Sequence, residues 1–217
     1  MSTATIYAHR FDAANDEVSG IIGGDEKNVP ETWRFSIDVA KAWEAAAAEG
    51  STPSTRRVLL RSAMVMSADE DGVFDTLLTL ARRGLGGRMG NGKQFMSWIH
   101  GADFVRAIKW IIEREELEGA VNLCSPNPLP NAAFMLELRR AWGIKIGLPA
   151  NELMLEIGTR VMKSETELVL KSRRVVPRKL LESGFDFQFP LWKPAARDLC
   201  AQSRMKGVLP LQNKSVG

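Results

Sequence analysis

A single tyrosine, two histidines and two cysteines are all that 217 residues hold of several side chains used for proton transfer and metal binding. The cysteines, Cys124 and Cys200, lie in no metal-ligand spacing and are too few for a disulfide framework. Reduced residues of an intracellular protein are therefore expected, with no metal centre. Charge of one sign is also lacking, since 29 Lys and Arg stand against 26 Asp and Glu for a net +3. Outside Lys171 to Arg174 the basic residues are scattered in sequence, and they interleave with aromatics on no single element, which argues against a nucleic-acid partner. No apolar run nears the ~20 residues of a membrane span, and no signal peptide opens the chain. The expectation is a cytoplasmic protein without a membrane partner.

What is present is a globular composition, 45% hydrophobic, sufficient for one large domain or for one domain with a lobe. The most organised stretch is SWIHGADFVRAI, residues 97–108. Trp98 and Ile99 read as the end of a strand and His100 and Gly101 as a tight exit. Asp103 reads as an N-cap or first-turn acid before Phe104, Ile108 and Ile111 at helical spacing. A strand feeding a helix so abruptly predicts an α/β layer. On spacing alone, His100 and Asp103 hold a corner together.

Elsewhere, MSTATIY at residues 1–7 is β-prone, and residues 9–29 form a polar loop suited to covering a cleft. Pro30 and Glu31 open a helix over Thr32 to Ala48, with Phe35, Val39 and Trp43 on its apolar side. Arg56 to Arg61 predict a buried strand that runs on through SAMVMS, followed by an amphipathic helix over 73–83. The glycine cluster Gly84 to Gly92 follows that helix rather than a strand, so it fails the context of a dinucleotide-binding turn. GAVNL, a Pro/Asn loop and a further helix come next. Residues 148–163 predict a helix, then the acidic SETEL and the basic KSRR. Pro177 starts a short helix that Gly184 ends, Phe185, Phe187 and Phe189 alternate as a strand, and Pro190 to Leu199 make a last helix.

The order of Gly-rich loop, WIHGAD, helix, VNLCSP, Pro-rich loop and helix, closed by SRRVVPRKLLESGFDFQFP and AARDL, resembles a known family. It is similar to the C-terminal portion of the epimerase-like, extended short-chain dehydrogenase/reductases that end in a domain of unknown function. The resemblance runs from Ser2 to about Cys200. It implies an α/β fold: a partial Rossmann-like layer at 1–147, a small C-terminal α+β lobe at 148–201 and a flexible tail at 202–217, with the Gly-rich nucleotide-binding half missing. It also implies an NAD(P)-dependent oxidoreductase or epimerase, using NADP or NAD on a small substrate.

On that resemblance Thr3 takes the place of the family's catalytic Ser/Thr, and Tyr7 closes the same strand. LLRSAMVMS sets Arg61, Ser62 and Ala63 under the nicotinamide. Tyr7, His9 and His100 are the candidate proton carriers near the substrate cleft. Where the family carries Tyr-x-x-x-Lys, this chain has Ser36 and Ala40, with Lys41 one step on. Met96 and Ser97 stand where relatives that bind nucleotide-sugars carry an arginine and an aspartate, so that substrate class is not expected. The competing expectation is a non-catalytic remnant or subunit, whose exposed sheet edge draws self-association or a partner bearing the missing half.

Overall fold

Residues 1–26, 30–149 and 171–208 are described by the computed structural model. In chain order the strands are β1 (Ser2–Thr3), β2 (Val58–Ser62), β3 (Met64–Met66), β4 (Phe95–Met96), β5 (Trp98–His100), β6 (Gly119–Leu123) and β7 (Leu129–Pro130). The helices are α1 (Glu31–Glu49), α2 (Val73–Leu80), α3 (Gly101–Glu113), α4 (Asn131–Trp142), α5 (Arg178–Glu182) and α6 (Trp192–Val208). β1, β2 and β6 form a parallel sheet in that order, with Thr3 opposite Ser62 and Ser62 opposite Leu123. β3 pairs in parallel with β5, while β4 and β7 pair antiparallel.

Helices cover this layer as parallel strands require. One core gathers Met66, Phe74, Trp98, Phe134 and Leu138 with Trp192, Ala195 and Leu199 of α6. A second joins Ile99, Ile111 and Val121 to Leu180, Phe185 and Phe187. The C-terminal segment thus builds into the same cores as the sheet.

Arg56 and Arg57, at the start of the sequence predicted as a strand, fix both helix layers. Arg56 donates to the carbonyls of Ile111 and Ile112 at the end of α3 and of Leu117 in the loop beyond it, and Arg57 to those of Ala47 and Ala48 at the end of α1. The carbonyls at a helix end lack intrahelical partners, and a guanidinium satisfies them while opposing the negative end of the helix dipole.

Several expectations are corrected. β1 stops at Thr3, because its hydroxyl accepts the Thr5 N–H at 3.2 Å and starts a 3-10 turn over Ala4–Ile6. α1 buries Ile37 and Ala40 and leaves Phe35 70% and Trp43 56% exposed. Its orientation follows Glu44, on the same side as Ile37 and Ala40, which is held inward by Arg61 and Ser2. Among the described residues Phe185 to Phe189 pair with no strand, since the N–H groups of Gln188 and Phe189 are taken by Asp103. Part of the expected tail is helical, α6 running through Val208. Of the helix expected over 148–163, Leu148 and Pro149 are not helical and the rest lies outside the described residues.

Candidate functional site

Open α/β sheets bind ligands outside the carboxyl ends of their strands. At those ends Thr3 and Ser62 are direct neighbours across the β1–β2 pair. The Thr3 and Thr5 hydroxyls lie 3.1 Å apart, and the Ser62 hydroxyl donates to the Ala63 carbonyl at 2.8 Å. Lys171, 1% exposed, donates through Nζ to the Thr5 carbonyl at 3.0 Å. Its neighbour Ser172 donates its N–H to His9 Nδ1 at 2.6 Å. The structure therefore brings Thr3, Ser62, Ala63 and His9 to one end of the sheet.

His9 packs against two rings, Phe11 and Trp33, each with its centroid 5.0 Å away. Because Nδ1 accepts a hydrogen bond, it carries no proton. Burial lowers the His9 pKa below its ordinary value; Lys171 and Arg173 lower it further, against Glu26. The folded state thus resists protonation. Stability is expected to be full above about pH 6.5 and to fall as acid protonates the unfolded chain first. Melting temperatures measured across that range should show the slope flattened in His9→Asn, which keeps an acceptor for Ser172. An unchanged slope would place the titration elsewhere, with His100 the remaining histidine.

Arg61 and Tyr7 belong to a different arrangement. Arg61 forks onto Glu44 at 2.9 and 2.7 Å and donates to the Tyr7 hydroxyl at 2.9 Å. That hydroxyl in turn donates to Asn122 Oδ1 at 3.0 Å, and Ser2 donates to Glu44 at 2.6 Å. The Tyr7 hydroxyl is engaged as donor and acceptor, and burial raises its pKa despite Arg61 and Asn122. Both side chains tie β1, β2, β6 and α1 together, so neither the Arg61 guanidinium nor the Tyr7 hydroxyl is free to meet a cofactor.

His100 sits apart from these residues. Its Nδ1 accepts the Ala102 N–H, capping α3, and Nε2 lies 3.1 Å from Asp198 of α6. The ring stacks on Phe189 with centroids 4.0 Å apart. It is a corner residue, as spacing alone indicated, and burial lowers its pKa against the pull of Asp198 and Asp103.

Sequence reasoning missed Lys171 and Ser172. From the sequence KSRR is only a basic run, yet Lys171, Ser172 and Arg173 are all buried. They thread between the amino-terminal loop and β4, where Arg173 N–H bonds the Phe95 carbonyl at 2.8 Å. The following VVP gave one usable signal, two β-branched residues continuing an extended run.

A family model described as a domain of unknown function, DUF1731, matches residues 152–199. An epimerase family protein of Mycobacterium leprae is 35% identical over 155 residues, covering 70% of this chain and 49% of the relative. One from Mus musculus is 31% identical over 180 residues, covering 82% and 59%. The crystal structure of a human epimerase family protein with NADPH matches at TM-score 0.78 and 28% identity, over 92% of this chain and 63% of that one. The chain belongs to the epimerase-like short-chain dehydrogenase/reductases.

A nucleoside-diphosphate sugar epimerase of Corynebacterium glutamicum gives TM-score 0.68 at 25% identity, covering 97% of this chain and 41% of that one. The Rossmann-like α/β architecture of the family is thereby assigned to the epimerase-like chain. It spans about half to three fifths of the length of the curated relatives it matches.

Proposed function

We propose that this epimerase-like chain is the substrate-side part of an NAD(P)-dependent oxidoreductase or epimerase that acts on a small molecule. The observation that carries the reading is the human relative crystallised with NADPH, whose fold this chain follows over 92% of its length. The carboxyl-end hydroxyls of Thr3, Thr5 and Ser62 fit such a ligand, and the side chain of Arg61 does not. In this reading the backbone at Ser62 and Ala63 forms the floor beneath the nicotinamide. Thr3 donates a hydrogen bond to the substrate oxygen at the reacting carbon, and His9 holds the cleft wall. When bound, the nicotinamide supplies or accepts the hydride.

Titration of the purified chain with NADPH, followed by quenching of its six tryptophans, tests this. Saturable binding at micromolar levels is expected, weakened by Ala63→Trp, which fills the floor. Absence of binding up to millimolar cofactor overturns the reading for the isolated chain.

A second reading is favoured by one observation. β1, only two residues long, is the outer strand of a parallel sheet whose other edge is covered. At that other edge Glu17 accepts the Asn122 N–H and Lys179 donates to the Glu118 carbonyl. In this reading the chain is a non-catalytic remnant or subunit, completed by a partner that lies along β1 and supplies the nucleotide-binding half. Light scattering at micromolar concentration separates the two, self-association being expected here and a stable monomer there.

A further inference from the structure

Among the acid-free stretches of the sequence are 76–102, 138–151 and 199–208. They hold nine of the 29 basic residues, leaving twenty against all 26 acidic ones in the rest of the chain. Apart in sequence, they are joined by the fold. Leu148 donates its N–H to the Gly84 carbonyl at 2.8 Å and accepts from Gly87 at 3.0 Å, tying the second stretch to the first. Arg204 of the third donates to the carbonyls of Ala141 and Trp142. The Trp142 ring is shared by two guanidiniums, Arg82 at 5.4 Å and Arg204 at 4.5 Å. Arg140 and Lys145 extend the same face and are exposed. The ion pairs that touch it are Arg140 with Glu137 and Lys206 with Asp69.

Among these cations stand three exposed aliphatic side chains: Ile146 at 68%, Leu148 at 56% and Met205 at 61%. Cations interspersed with protruding aliphatics match the interface of an anionic bilayer, where phosphate and carboxylate headgroups meet the charges and the aliphatics enter the acyl boundary. A single strand of nucleic acid would instead need free aromatic faces for base stacking. Trp142 is already covered by guanidiniums.

We propose that this face docks the protein peripherally on an anionic membrane surface. No described helix is long and apolar enough to cross a membrane, so the contact is with headgroups and the shallow acyl region. The proposal is independent of the cofactor reading, because none of these residues lies at the carboxyl ends of β1 and β2.

Flotation of the full chain with phosphatidylcholine vesicles, with and without phosphatidylserine, tests it. Binding is expected only with phosphatidylserine and is lost at high salt. The combined variant Arg82→Gln, Arg140→Gln, Lys145→Gln should lower partitioning by at least about tenfold. Ile146→Ser with Leu148→Ser should lower it several-fold. Both variants are compared at melting temperatures matching the parent. Failure to bind anionic vesicles, equal binding to neutral ones, or indifference to the charge variant would overturn the proposal. Retention on duplex DNA, unaffected by the aliphatic variant and without vesicle binding, would overturn it in favour of a nucleic-acid surface.

Discussion

Asp103→Ala is expected to lower unfolding free energy by about 3 kcal/mol, because it strips two backbone N–H groups of their charged acceptor. The carboxylate is fully buried, accepting the N–H of Gln188 at 2.9 Å and of Phe189 at 2.8 Å. Arg106 is its charged partner at 2.7 Å, yet is itself 43% exposed. The carboxylate therefore acts as a substitute for a neighbouring strand, receiving the backbone of the segment that carries Phe185, Phe187 and Phe189. Losing it frees that segment from α3, from the second core and from the ring of His100. For a chain of this length the change corresponds to roughly 6–12 °C in melting temperature. Arg106→Ala, which removes a half-exposed cation and its contact with the Phe185 ring but leaves both backbone donors on the carboxylate, should cost less, about 1–2 kcal/mol. Equal losses for the two variants would show that the backbone contacts carry little weight.

The second large effect is expected at Arg61. Arg61→Met should destabilise by about 3–5 kcal/mol, since it leaves the Glu44 carboxylate buried without its cation. The two side chains are only 11% and 13% exposed. Burial alone would raise the Glu44 pKa, but the Arg61 fork and the Ser2 hydroxyl hold it below its ordinary value. Its contribution is thus present above the unfolded carboxylate pKa and is lost as acid protonates Glu44 in the fold. Pairing Arg61→Met with Glu44→Leu should restore most of the loss, because a packed apolar pair can match a buried ion pair. Urea titration of the single and double variants measures this. A double variant as unstable as Arg61→Met would mean that the contact with Tyr7 outweighs the ion pair.

The parts of the fold that could be read from the sequence are those governed by neighbours a few residues apart. α1, the β5–α3 corner, α4 and α5 follow from caps, glycines and periodicity, and His100 was legible as a corner residue from its place before Gly101. Gly143 and Gly184, at φ 87° and 80°, end α4 and α5 where only glycine is comfortable. Contacts between distant stretches were not legible. Tyr7 and Arg61 are separated by 54 positions, and nothing near either announces that they share a proton. Lys171 looks like a surface lysine because its carbonyl partner, Thr5, lies 166 residues earlier. Phe35 and Trp43 misled for the opposite reason: apolar spacing marks a helix face but not whether this chain covers it.

Residues 5–15 close in part against residues 171–176. Thr5 receives Lys171, His9 receives Ser172, and Asn15 bridges Val175, exchanging bonds with Arg174 and Val176. On the ribosome, at about 5–20 residues per second, residues 5–15 therefore wait roughly ten to thirty seconds for this covering segment. During that time Ile6, Tyr7 and Asn15, all buried in the finished protein, lack part of their cover. A chain that stops short of Lys171 therefore leaves Thr5 and His9 without these partners.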